Sequence, residues 1–368
     1  MTHAADSSWA VLWSGCYTAD SSGHGAGIGV LASAADGTLN PVRLAAVADS
    51  PTFLAQHPTL PVVYAVGEFA RTIRAFAITD AVGGVLESLG DGWPAGEAVC
   101  HVTIDPMGRY AIAACWGDGK VLTYELDASG RITARHDAAA AIDPYAGGTG
   151  TGTGTDTDTG AAVVRPSRAH ASFVLPDGRV LTTDLGYDLV RIWRYEPGRG
   201  LVPDHEVVLP FGSGPRHPAL HPSGHVYVVT EDSVEVVVLQ LDAAGRYAIV
   251  QVTPVIPGGT ASTEAGVHVT AAHISIDEAG EHVHVTVRAA NRVAVLAVRD
   301  GGARLEPVAD VDCGGDWPRH HLQHGSLLHV ANQLSDTITT FRLDAGGVPS
   351  DLIQILPAGS PTCLIERL

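Results

Sequence analysis

The sequence predicts an all-β protein: a seven-bladed β-propeller of four-stranded antiparallel blades, with the ring closed by both termini. Three observations point there. A unit made of a short apolar run, Pro or Asp, a Gly turn and a β-rich run recurs along the chain, beginning near Phe53, His101, His170, His217, Ala272 and His320. Successive copies start roughly 50 residues apart, the length of one blade. Each copy is followed by an alternating segment such as TIRAFAI, KVLTYEL, LVRIWRY or VEVVVLQL, which is a strand pattern and not a helix pattern.

Taken in order, the N-terminal region offers only later strands of a blade, VLWSGCYT and GIGVLAS, whereas the C-terminal region offers only a first strand, PTCLIER. Together they make a seventh blade, which leaves the ring no open edge. The six internal copies supply the other blades, and EHVHVTVR (281–288) alternates almost without a break. The longer interval between His101 and His170 holds a Gly/Thr/Asp-rich segment, 138–160, containing GGTGTGTGTDTDTG. Such a composition cannot bury a core, so this segment is expected to be a flexible surface loop between blades. It lacks the Lys-Ser/Thr ending and the following helix of a phosphate-cradling loop. The whole chain, 1–368, is expected to form one propeller domain.

Charge and composition exclude several classes. Hydrophobic residues make up 45% and charged residues 17%, which rules out a disordered chain. The 22 Lys+Arg against 40 Asp+Glu leave a net charge of −18, unsuited to general nucleic-acid binding or to anionic membrane surfaces. No basic stretch precedes the first apolar run, and no apolar run approaches the roughly 20 residues of a membrane span, so a cytoplasmic protein is expected. Its five cysteines are odd in number and sparse, as for small buried hydrophobes in a reducing compartment.

Blade geometry narrows the search for a site. The start of each first strand and the end of each second strand share one face of the disc, close to the channel. Residues there converge on one pocket, as small-molecule sites do. That mouth collects Tyr17, Glu68, His101, Trp116, His170, Asp184, Arg216, His217, Glu231, Arg288, Arg319, His320 and Gln333. Arg216 in GSGPRH and Arg319 in DWPRH occupy parallel places, suited to gripping carboxylate or phosphate. Arg319, His217, His320, Glu68 and Gln333 are candidate substrate-binding residues. There is no G-x-S-x-G, H-E-x-x-H or C-x-x-C, and Lys120 is the lone lysine, against serine-hydrolase, zincin, zinc-ribbon and Schiff-base chemistry. His320, His321 and His324 suggest a metal cluster, but adjacent strand residues point to opposite faces. No metal and no cofactor are expected.

At these residues the sequence resembles the lactonase family of seven-bladed propellers, which includes the propeller-type 6-phosphogluconolactonases and the carboxymuconate lactonizing enzyme. The resemblance covers nearly the whole chain. It rests on RAHASFVLPDGRVLTTDLGYD (168–188), GSGPRHPALHPSG (212–224), YVVTE (227–231), HVTVRAANRVAVL (284–296), PRH with VANQLSDTITTFRLD (318–344) and GSPTCL (359–364). The resemblance implies that His170, Arg216, Glu231 and Arg288 are the catalytic residues, all at the mouth already singled out. Thr230, Val287 and Ala289 depart from the residues usual beside that Glu and that Arg.

The resemblance implies opening of a sugar-type lactone, with 6-phosphogluconolactone the leading substrate. His170, with an imidazole pKa near working pH, would activate water, and Arg216 and Arg288 would bind the anion or the oxyanion. Glu231 would orient an arginine, or act as an acid if burial raises its pKa. The expected partner is a small anionic lactone, and a closed ring is adequate as a monomer. The rivals are a non-catalytic binding propeller, which DLVRIWRY (188–195) faintly echoes, and a carboxymuconate cycloisomerase.

Overall fold

The computed structural model describes residues 11–80, 84–146, 165–256 and 266–368. Seven antiparallel sheets are arranged in a ring. Blade 1 comprises Leu54–Gln56, Val62–Gly67, Thr72–Asp80 and Val85–Ser88. A two-residue strand, Trp93–Pro94, also pairs with its third strand, so this sheet has five members. Blades 2 to 6 have first strands Val99–Ile104, Ala169–Val174, Pro215–Leu220, Thr270–Ile276 and Pro318–His324, each followed by three more. Blade 7 pairs the C-terminal strand Pro361–Glu366 with Val11–Cys16, then Gly27–Ala32 and Arg43–Val47. The two terminal regions therefore close the ring as the sequence predicts.

Turn chemistry explains why the repeat is so visible. Between first and second strands, Gly108, Gly178, Gly224 and Gly280 each donate their N–H to the carbonyl three residues back and sit at positive φ. Between third and fourth strands, Asp127, Asp242 and Asp344 each open a D-A-x-G turn, with a carboxylate oxygen accepting backbone N–H groups two and four residues on. Asp at the first place and Gly at the fourth is the pairing such a turn demands.

Burial comes from blade stacking. Seven buried apolar clusters occur, one at each junction of neighbouring blades. Second strands are packed on both sides, and Val62–Gly67 and Tyr110–Cys115 are buried throughout. In His282–Arg288 the polar face of the alternating pattern is buried as well. There His284 pairs with the Gly347 carbonyl at 2.7 Å, and Thr286 accepts the His273 N–H at 3.0 Å. Alternation thus records two packed faces, one of them bearing polar groups with partners.

Among the described residues, helix is limited to two short 3-10 turns, Ala19–Ser21 and Asp300–Gly302. No helix there is long and apolar enough to cross a membrane. Of the Gly/Thr/Asp-rich segment, 138–146 carries no strand and is held by the Asp143–Arg165 ion pair and by a bond from Tyr145 Oη to the Leu209 carbonyl. Residues 147–160 lie outside the described residues.

Ring closure yields a stability prediction. Leu364 is fully buried in the cluster joining blades 6 and 7, whereas Leu352 is an exposed residue of blade 6. Leu364→Ala should cost about 2–5 kcal/mol in urea denaturation, and Leu352→Ala less than about 1 kcal/mol.

Candidate active site

One backbone irregularity, repeated around the ring, builds the site. The first strands of blades 2, 3, 4, 6 and 7 each contain one residue with no partner on the second strand. These are Cys100, His170, Arg216, Arg319 and Thr362. Each is a β-bulge, which breaks alternation and re-aims a side chain. Blade 5 has the same one-residue shift between Ala271 and Ile274. One central cavity is lined by the bulge residues Cys100, His170, Arg216, Arg319 and Thr362, by His101, His217 and His320 just after three of them, and by Thr52 and Phe53 just before the first strand of blade 1. A regular strand could not bring Arg216 with His217, or Arg319 with His320, to the same face.

Four imidazoles from the first strands of blades 2, 4, 5 and 6 form the floor with Phe53. Phe53, His101, His217, His273 and His320 contact one another ring to ring across the channel. The separations are 4.2 Å for Phe53–His101, 5.0 Å for His101–His217, 4.7 Å for His217–His273 and 3.7 Å for His273–His320. His320 and His321 do point apart. His320 lines the cavity, and His321 lies against Ser275, Nε2 to Oγ at 2.7 Å. Among the described residues no group of three His, Cys, Asp or Glu side chains is arranged to hold a metal ion. The cavity is about 10 Å³, room for about one water molecule.

The walls carry the charge. Glu231 Oε2 accepts from Arg216 Nε at 2.7 Å and lies 2.9 Å from Arg288 Nη2. Arg216 also donates through Nη1 to the Ala272 carbonyl, reaching into the space left by the small residue of blade 5. Arg288 lies over the Trp317 ring, 5.3 Å from its centroid. On the other side, Arg319 Nη1 donates to Gln333 Oε1 at 3.3 Å and its guanidinium sits 5.1 Å from the Tyr17 ring centroid. Tyr17 Oη donates to Glu68 Oε1 at 3.3 Å. Three guanidiniums thus face two carboxylates, and the imidazoles add no charge. Buried atoms without a hydrogen-bond partner cluster here: Glu68 Oε2, His170 Nδ1, His217 Nδ1, Thr270 Oγ1, Thr52 Oγ1 and Arg288 Nε. Donors and acceptors left open in one place are ready for a ligand.

The structure brings together all nine residues singled out as catalytic or substrate-binding, in three tiers. His217 and His320 belong to the floor, His170, Arg216 and Arg319 to the bulged wall, and above them stand Arg288, at the end of a second strand, and Glu68, Glu231 and Gln333, in the turns just after second strands. Asp184 is not among them. Its carboxylate accepts from Ser167 Oγ and from the N–H groups of Arg168 and Tyr187, which orders the loops entering and leaving blade 3. Trp116 lies at the rim beneath Arg168, whose guanidinium carbon is 3.6 Å from the ring centroid. Sequence reasoning did not single out Arg168, Phe53 or His273 as site residues, although Arg168 opens the block 168–188 and Phe53 opens the first repeat. The available signal was the His that follows Cys100, Arg216 and Arg319, whereas Ala171 and Cys363 follow the other two bulges.

Two electrostatic expectations are corrected. His170 does not sit near its ordinary pKa. Burial, with Arg216, His217 and Arg319 adding to it, pushes it well below 6.5. Glu231 is not raised. Burial alone would raise it, but Arg288 and Arg216 hold it below the usual carboxylate value, so it stays ionised and is no proton donor near neutral pH. Burial, with Arg288 beside it, lowers Arg216 to about 9, which still leaves it a cation at pH 7. The Cys100 thiol is raised by burial and is no nucleophile at neutral pH.

A family model described as lactonase, 7-bladed beta-propeller matches residues 11–366. The chain belongs to this lactonase family. It is 27% identical over 312 residues to a 6-phosphogluconolactonase of Bacillus subtilis (strain 168), covering 83% of this chain and 84% of that one. A periplasmic gluconolactonase of Pseudomonas aeruginosa has a similar structure, with a TM-score of 0.83 at 23% identity, over 98% of this chain and 99% of the other. A protein from Lactobacillus plantarum gives 0.82 at 23% identity, over 98% and 100%. A virginiamycin B lyase from Staphylococcus aureus aligns at 0.54 and 14% identity over 83% of this chain and 84% of its own, so the propeller alone does not decide the chemistry.

The imidazole floor makes stability sensitive to acid. Burial lowers His101 and His320 to about 3, with Arg216 adding to the effect, so the folded protein resists protonation that the unfolded chain accepts below 6.5. Their contribution is whole above pH 6.5 and is lost as pH falls toward 3. The loss is on the order of 1 kcal/mol per pH unit for each. Denaturation midpoints should therefore fall between pH 6.5 and 5, before carboxylates titrate, and His320→Gln should flatten that slope.

Proposed function

We propose that the protein is a lactone hydrolase acting on a sugar-type lactone with an anionic group, 6-phosphogluconolactone being the leading substrate. The observation that supports this most is the bulged wall. It sets a neutral imidazole, His170, and two guanidiniums, Arg216 and Arg319, around a cavity with space for one water. His170 takes a proton from that water as the hydroxide adds to the lactone carbonyl carbon. The oxyanion is met by guanidinium N–H groups, which cost no reorganisation because Glu231 and Gln333 already hold them. The ring C–O bond then breaks, and the leaving alkoxide recovers the proton from His170. The resulting hydroxy acid ionises to bulk water. Glu231 is a positioning residue in this scheme, clasping Arg216 and Arg288.

An anionic substrate suits the excess positive charge of the lining. The lactone is expected to rest above the cavity, since only water fits within. The five unpaired, buried cysteines are consistent with a cytoplasmic enzyme that needs no disulfide, and the closed ring is adequate as a monomer.

The test is hydrolysis of 6-phosphogluconolactone with the spontaneous rate subtracted. His170→Ala should lower kcat about a hundredfold or more with little change in Tm. No rate above background for the wild type, or equal rates for both proteins, would refute the reading and favour a binding role. Because kcat/KM reports groups of the free enzyme and free substrate, it should stay flat from pH 8 to 6 once corrected for the substrate phosphate, which itself titrates at about 6. A base of ordinary pKa would lose half its activity at 6.5.

A further inference from the structure

Arginines on the mouth face are almost all committed to oxygen partners. Arg216 and Arg288 share Glu231, and Arg319 meets Gln333. Arg165 bridges Asp143 and Asp188, and Arg71 pairs with Glu97 at 3.1 Å. Arg168 differs. Among the described residues its guanidinium has no hydrogen bond and no ion pair; its carbon lies over the Trp116 indole, 3.6 Å from the centroid. Its N–H groups are therefore open to a ligand.

The placement is on the site. Trp116 follows the second strand of blade 2, and Arg168 immediately precedes the first strand of blade 3, so both stand on the mouth face. The backbone of Arg168 is fixed at both ends, its N–H donating to Asp184 at 2.9 Å and its carbonyl accepting from Leu185 N–H at 2.9 Å. Trp116 is 38% exposed, so the stack opens to solvent. Two residues on, His170 lines the cavity. Two extended residues span about 7 Å, comparable with a six-carbon lactone from its carbonyl to its far end. A guanidinium held over an indole keeps its edge N–H groups free for bidentate capture of an oxyanion.

We infer that Arg168, held on Trp116, binds the anion at the far end of the substrate and so selects lactones carrying a terminal phosphate or carboxylate over neutral ones. This rests on the lactonase reading for the placement of the carbonyl at His170, with Arg216, Arg288 and Arg319 kept for the reacting end.

Calorimetric titration of the full chain with the ring-opened products tests it apart from turnover. The probes are 6-phosphogluconate and glucarate, which carry a second terminal anion, and gluconate, which does not. The wild type should bind at least one of the first two tenfold or more tighter than gluconate, and which one distinguishes phosphate from carboxylate. In Arg168→Gln that ratio should fall to about one with Tm retained. Arg168→Lys, which keeps charge but not the flat fork, should recover it only in part, and Trp116→Leu should reduce it. Equal binding of all three by the wild type, binding of none, or a ratio unchanged in Arg168→Gln would overturn the inference. Selective binding without hydrolysis would leave it standing and sink the hydrolase reading. Hydrolysis without selectivity would do the reverse.

Discussion

The site depends on a single backbone constraint: an extra residue in the innermost strand of the blades. Seven strands converge on one axis, and a regular strand presents only alternate side chains to it. The bulge lets two consecutive residues face inward, so two layers form where one would. The upper layer is chemical, with His170, Arg216 and Arg319 on the wall. The lower layer is a plug of Phe53, His101, His217, His273 and His320, which closes the channel and gives the cavity a floor. Without the shift, either the plug or the charged wall would be turned into the sheets.

Electrostatics then follow from burial. Imidazoles packed ring on ring beneath guanidiniums are favoured neutral, and the carboxylate clasped by Arg216 and Arg288 is favoured ionised. The expected acid role of Glu231 fails for this reason: two cations outweigh the desolvation of one carboxylate. The same cations weaken His170 as a base until negative charge develops on the carbonyl oxygen beside them.

Much of this was legible in the sequence because turns and inter-blade packing write a strong period. The P-x-G and D-A-x-G turns need Gly at positive φ, and both-face burial needs β-branched runs, so blade number and ring closure could be read directly. The functional face was legible too, since strand direction alone assigns Glu68, Glu231, Arg288 and Gln333 to one mouth. Four things were not. The bulges leave no residue signature, because Cys100, His170, Arg216, Arg319 and Thr362 share no chemistry. The shifts at His170 and Glu231 depend on neighbours from other blades. Asp184 occupies a mouth position by sequence but spends its oxygens on loop N–H groups, and the unpaired state of Arg168 is visible only once every other partner is known.

The central claim is that His170 is an uncharged base whose strength is set by the guanidiniums facing it. The most direct measurement is the imidazole nitrogen chemical shift of His170 by NMR across pH, with and without 6-phosphogluconate. The free protein should show neutral imidazole from pH 8 to 6, and the bound anion should move its titration upward. An imidazole already charged at pH 7 in the free protein, or one indifferent to the ligand, would contradict the account.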